Sequence, residues 1–278
     1  MKKHSFSPLR PALTMLEVIF VIVILGIVSS IGAEVIANVY ESYIVQRAQY
    51  RANAKTELAL QQIANRLRYA IPGTIYAVSG SNYTHITNVT SNSADGLQWV
   101  GYDADSFGAI ASDSNRKPGW SGFIDLDASS ATSLSTPGSN LDLSDTIIKN
   151  LSNNSKDITN AYLYFPDYSY TSVSGGSGES LSVPSLTGRT VWERYKLAWS
   201  SYALIVDTSN GNLILYYNFN PIPATGYAGG SSSILLRNVA SFRFKGSEGS
   251  LRIKICREEP IGENSTDIVR SCKEKVVF

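Results

Sequence analysis

The chain has 278 residues, 43% of them hydrophobic and 17% charged, with a net charge of +1. That length suffices for one membrane segment and one sizeable folded domain, and the near-balanced charge gives no global case for a nucleic-acid or acidic partner. With two histidines and two cysteines in the whole chain, a His/Cys metal centre or a histidine-based catalytic triad is hard to build.

Residues 1–12 are short and basic, carrying Lys2, Lys3 and Arg10, and no acid precedes Glu17. An apolar run follows over residues 13–33, carrying one acid, Glu17. About twenty such residues cross a bilayer as a helix. The positive-inside rule keeps the Lys2/Lys3/Arg10 end in the cytoplasm and places everything after Ala33 on the far side. A carboxylate near the start of such a segment is expensive in hydrocarbon and needs a partner. A secretory signal peptide would have a shorter apolar core and a cleavage site behind it. Here Glu34 to Tyr40 continue at helical spacing. A plain signal anchor would account for the length and the charges but not for Glu17.

Helical spacing persists over residues 34–71 through Val39, Tyr43, Tyr50, Ala54, Leu58, Leu60, Ile63, Leu67 and Ile71. No proline occurs from Leu13 to Ile71, and Pro72-Gly73 stops the pattern. The sequence therefore predicts one helix of roughly 90 Å. Its first half is apolar all round, and its second half is amphipathic and docked on a domain.

The segment Ala12-Leu13-Thr14-Met15-Leu16-Glu17-Val18 resembles the processing site of type IV pilins and pseudopilins. The resemblance covers residues 11–71. It implies that a prepilin peptidase removes the leader on the cytoplasmic face by cutting between Ala12 and Leu13. Leu13 would then be the methylated N-terminus, Thr14 the small polar second residue and Glu17 the family's glutamate. Two departures are Ala12, where the family usually has glycine, and Leu13, where it usually has phenylalanine. In a filament the apolar helices bundle together, and Glu17 would be neutralised by the N-terminal amine of a neighbouring subunit, which sets subunit register.

The resemblance implies an α+β, pilin-like fold with the long helix packed on an antiparallel sheet. It implies a subunit that acts by assembly and not catalysis, in a type II secretion pseudopilus or a type IV pilus, without a cofactor. Its partners would be other pilins or pseudopilins, the peptidase, an inner-membrane assembly platform and membrane lipid. The protein would sit in a bacterial inner membrane with its domain in the periplasm, or outside the cell if in a pilus. Major pilins usually carry a helix-kinking proline where this chain has Gly32-Ala33-Glu34-Val35. Its absence and the length of the chain lean toward a minor pilin or pseudopilin, with a DNA-uptake or adhesive minor pilin as the alternative.

Residues 72–190 form a region rich in Ser, Thr, Asn and Gly. Short strands are expected at residues 96–102, 120–125 and 161–165, and an exposed loop at 172–182. Residues 191–278 hold two hairpins. One pairs 201–207 with 212–217 around Asn210-Gly211, a strong turn signal. The other pairs 239–245 with 251–256. In it Phe242, Phe244, Leu251, Ile253 and Ile255 point inward, over the helix, and Arg243, Lys245, Arg252 and Lys254 outward. Cys256 and Cys272 bracket a polar loop, 257–271; outside the cytoplasm they are expected to pair, the alternative being two free thiols.

Three other features each admit a functional and an ordinary structural reading. Asp103/Asp105 and Asp125/Asp127, with Asp113 between them, are calcium candidates or else ordinary Asx turns. The Arg243/Lys245/Arg252/Lys254 stripe is a DNA candidate or else a solvated face, since Glu248, Glu258, Glu259, Glu263, Asp267 and Glu274 offset its charge. His85 stands in no catalytic motif; a signal-anchored enzyme or binding domain is the rival of a different class.

Overall fold

A computed structural model of the chain describes residues 14–89, 94–112, 114, 116–247, 249–261 and 267–277. It has a long N-terminal apolar helix and antiparallel sheets, an α+β arrangement. Helix α1 (Met15–Leu67) runs for 53 residues, about 80 Å at helical rise. Thr14 caps its start. At its other end the Arg68 N–H still donates to the Ala64 carbonyl. The sequence pattern carried the helix to Ile71, but the chain leaves it earlier. Pro72 disfavours helical backbone at the residue before it. The Ile71 N–H donates instead to the Val100 carbonyl at 2.8 Å, so Ile71 is captured by a sheet.

The buried face of α1 is Ala48, Ala52, Thr56, Ala59, Leu60, Ile63, Ala64 and Leu67. Val39, Tyr43, Tyr50 and Leu58, expected on the docked stripe, are exposed. Small side chains take their place because strands lie close against the helix. The Thr56 hydroxyl turns back to the Ala52 carbonyl at 2.7 Å, which satisfies the one polar group in this seam.

After the helix come β1 (Tyr76–Ser79), β2 (Asn82–His85) and β3 (Gly96–Gly101). An insertion follows: α2 (Ala104–Gly108), β4 (Ser133–Ser135), α3 (Leu141–Leu151), β5 (Tyr162–Tyr164), β6 (Tyr170–Ser172), β7 (Gly175–Ser177), β8 (Ser180–Ser182) and β9 (Lys196–Ala198). Then β10 (Ser200–Asp207), β11 (Asn212–Phe219) and β12 (Ser231–Leu236) complete a six-stranded sheet in the order β12-β11-β10-β3-β1-β2. The first expected hairpin is β10–β11, pairing Leu204 with Leu215 and Asp207 with Asn212.

The insertion has its own core, in which Trp120, Ile124, Leu134, Ile148, Leu163 and Leu197 meet. Two three-stranded sheets, β4-β8-β7 and β6-β5-β9, close around it. Strands stand at 96–101 and 162–164, within two of the expected segments. Residues 120–125 form no strand. Gly122 takes a left-handed φ of 75°, and only isolated bridges tie Phe123 to Arg194 and Asp125 to Ser135. The segment expected as an exposed loop is largely the β7–β8 hairpin, because Leu181 is fully buried and its turn residue Gly178 accepts φ 56°. Helix α3 was not foreseen. Asn140 caps it, accepting the Leu143 N–H at 3.2 Å, and Leu141, Ser144 and Ile148 make its buried face.

The last sheet is β13 (Val239–Ser247), β14 (Ser250–Pro260) and β15 (Ile268–Val277). Phe242 opposes Ile255 and Phe244 opposes Ile253. This inward row is buried, and it shares one cluster with Leu60, Ile63 and Leu67 of α1 and with Leu97, Trp99 and Leu204 of the large sheet. Cys256 and Cys272 form a disulfide, as the compartment argument expected. They do not bracket a free polar loop. They face each other across β14 and β15, and the ladder continues beyond them from Arg257–Ser271 to Pro260–Ile268.

Candidate functional site

Every residue of α1 from Met15 to Tyr43 is exposed, including Met15 at 84%, Leu16 at 79% and Phe20 at 64%. Over residues 15–33 this exposed surface is apolar apart from Glu17, Ser29 and Ser30, and an apolar surface of this size is not stable in water and marks a membrane or protein contact. The helix is long and apolar enough to span a membrane as a single pass. Its distal half is fastened to the domain by its packing on β14 and β15. The Ser271 hydroxyl adds a bond to the Asn53 side-chain oxygen at 2.7 Å.

The acid in this surface sits in the first helical turn. The Glu17 N–H donates to the Thr14 carbonyl at 3.0 Å and lies 3.4 Å from Thr14 Oγ1. Thr14 therefore starts the helix by ordinary capping. A carboxylate in the first turn is favoured by the positive end of the helix dipole. Glu17 has no side-chain partner among the described residues. The next basic residue along the helix is Arg47, about 45 Å away at helical rise. A counter-charge for Glu17 must come from the N-terminal end or from another molecule. Ala12 and Leu13, the expected cleavage and methylation positions, lie outside the described residues, as does the leader.

Asp103 is buried at the start of α2, where its Oδ1 accepts the Ser106 N–H at 3.1 Å. Burial pushes its carboxyl up to about 6, against smaller opposing effects of its bonds to Ser106. Asp105 lies in the first turn of α2. Asp125 Oδ1 accepts the Asp127 and Ala128 N–H groups, both at 3.1 Å, in an Asx turn. Asp113 lies outside the described residues. No group of three or more His, Cys, Asp or Glu side chains stands ready for a metal among the described residues. The structure does not assemble the calcium candidates into one site.

Arg243, Lys245, Arg252 and Lys254 are all exposed on the outer face of the last sheet. Their stripe is interrupted: Glu274 stands opposite Lys254 and pairs with Arg252 at 3.2 Å. On the same sheet Arg257 is buried, its side-chain Nε donating to the Arg237 carbonyl at 3.0 Å and its guanidinium paired with Glu259. This buried pair was not anticipated from the sequence, since alternation alone placed neither side chain inside.

No protein-family model, curated protein or solved structure matches the chain.

Proposed function

We propose that the chain is a minor pilin- or pseudopilin-type subunit that acts by assembling into a helical filament, of a type II secretion pseudopilus or a type IV pilus. The observation that carries this reading is Glu17, without a side-chain partner among the described residues, in the first turn of an exposed apolar helix whose other end is docked on a β-rich domain. A plain anchor needs no acid there. An assembly helix does, because a neighbouring subunit's N-terminal amine can pair with it once the helices bundle away from lipid and water.

In this reading the leader is cut between Ala12 and Leu13, and the helix holds the subunit in the inner membrane with the domain outside. Extraction into the filament follows when Glu17 engages the next subunit. The exposed stretch from Met15 to Tyr43 supplies the bundling surface, and the docked seam at Ala48 to Leu67 carries the domain with it.

The test is a Glu17→Ala variant expressed beside its filament partners. It should be processed and membrane-bound as usual but should fail to co-purify with other subunits. Co-purification at the unsubstituted level would contradict the register role. A deletion strain scored together for secretion, surface pili and transformation should lose at least one of them. A change in none would contradict the filament role.

A further inference from the structure

Beside the end of α1, where the insertion meets the six-stranded sheet, lies a cavity of about 500 Å³. That is the size of a small-molecule site. Its back wall is aromatic. Trp120 lies 4.7 Å from Phe107 and 5.6 Å from Tyr195 between ring centroids, and Tyr102 meets it edge-on at 6.3 Å. Phe107 is about half exposed, and Tyr168, at the mouth, is 60% exposed.

Tyr168 is held there against its own preference. Its φ is 66°, a left-handed backbone that a bulky side chain rarely adopts. The turn is closed by the Tyr168 N–H on the Phe165 carbonyl at 3.0 Å and by the Phe165 N–H on the Ser169 carbonyl at 2.9 Å. Its ring covers Gly73, where a Cβ would come within 2.7 Å of it. Backbone strain of this kind gathers at binding sites, where surrounding structure over-determines the position.

The charge in the cavity has one sign. Arg194 and Lys196 line it, and no Asp or Glu does among the described residues. Neither cation has an ion-pair partner among those residues. The Lys196 ammonium sits 4.8 Å from the centroid of the Tyr102 ring, a cation–π contact, and its burial lowers its proton affinity. An unpaired, part-buried ammonium in a cavity that a guanidinium also lines is stabilised by an incoming carboxylate.

We propose that this cavity binds an aromatic carboxylate, its ring seated against Trp120, Phe107 and Tyr168 and its carboxylate held by Lys196 and Arg194. An acidic sugar fits less well, because each hydroxyl it buries needs a partner. Among the described lining residues Ser121 is the one aliphatic hydroxyl, the Tyr164 hydroxyl is already committed to the Pro221 carbonyl at 2.5 Å, and the other hydroxyls are those of Tyr102, Tyr168 and the buried, unpartnered Tyr195. The inference stands apart from the filament reading and does not depend on it.

The test is calorimetric titration of the full-length protein in lipid nanodiscs. The probes are N-acetylphenylalanine, the corresponding neutral amide and glucuronate. The acid should bind about tenfold or more tightly than the amide, and glucuronate most weakly. Phe107→Ala, at a half-exposed position, should weaken both aromatic probes. Arg194→Gln with Lys196→Gln should erase the preference for the acid while leaving amide binding in place. Equal binding of acid and amide, tighter binding of glucuronate, or no binding of any probe to the unsubstituted protein would each overturn the proposal.

Discussion

Asn53, about three-quarters of the way along α1, accepts a hydrogen bond from Ser271 of β15 at 2.7 Å. This contact joins the docked half of α1 to β15 across 218 positions of the sequence. A half-buried side-chain bond of this kind contributes on the order of 1 kcal/mol. Asn53→Ala should lower the unfolding free energy by about that much, measured by denaturant unfolding of the solubilised protein. Paired with Ser271→Ala in a double-mutant cycle, the two losses should be less than additive.

The seam of Ala48, Ala52 and Thr56 makes a sharper demand. Ala52 is fully buried on the part of α1 that packs against β14 and β15. Ala52→Leu should cost about 1–3 kcal/mol by forcing helix and strand apart. Tyr50→Ala, two residues away and 75% exposed, should change stability by no more than about 0.5 kcal/mol. If the docked face were the Tyr43–Tyr50 stripe suggested by periodicity, the two effects would be reversed.

Asp103 predicts a pH dependence. Its folded carboxyl is pushed by burial from 3.8 to about 6. The folded protein therefore holds this proton more tightly than the unfolded chain. The stability it contributes is full below the unfolded value and is lost as pH rises through about 6. Asp103→Asn keeps an oxygen to cap α2 but carries no charge. At neutral pH it should stabilise the protein by on the order of 2 kcal/mol, and that advantage should vanish as pH falls to the unfolded carboxyl range. Thermal melts across this range, variant against unsubstituted protein, measure it.

Cys256 and Cys272 are separated by 16 positions and joined across adjacent strands. Cross-linking a loop of this length contributes about 3 kcal/mol by limiting the unfolded chain. Cys256→Ser with Cys272→Ser should lower stability by up to that amount, and reduction of the unsubstituted protein should match it. The inward row at Ile253 and Ile255 still packs on the helix without the bond, so the last sheet should persist, read as retained circular dichroism below the melting transition.

The long helix and the β10–β11 and β13–β14 hairpins were legible because their signals are periodic and local, whereas β15 lay in a stretch read in part as a polar loop. Phe242, Phe244, Leu251, Ile253 and Ile255 alternate without a break, and Asn210-Gly211 marks its own turn. The face of α1 that docks was not legible. Ala48 and Ala52 carry little hydrophobic signal, and it is the closeness of β14 and β15 that selects them. The insertion was hard to read for a different reason. Its strands are only three residues long, and their pairing is set by partners distant in the chain, such as Leu134 with Leu181. The aromatic cavity is likewise gathered from Tyr102, Trp120, Tyr168 and Lys196, which share no spacing. Glu17 stood out in the sequence alone, because a lone acid in an apolar run is conspicuous whatever the fold.

The most direct test of the filament account is the intact mass of the full-length protein extracted from its native membrane. The account predicts a chain that begins at Leu13, carries one added methyl group and contains the Cys256–Cys272 disulfide. A protein that retains residues 1–12, or one cut behind the apolar run, would contradict it.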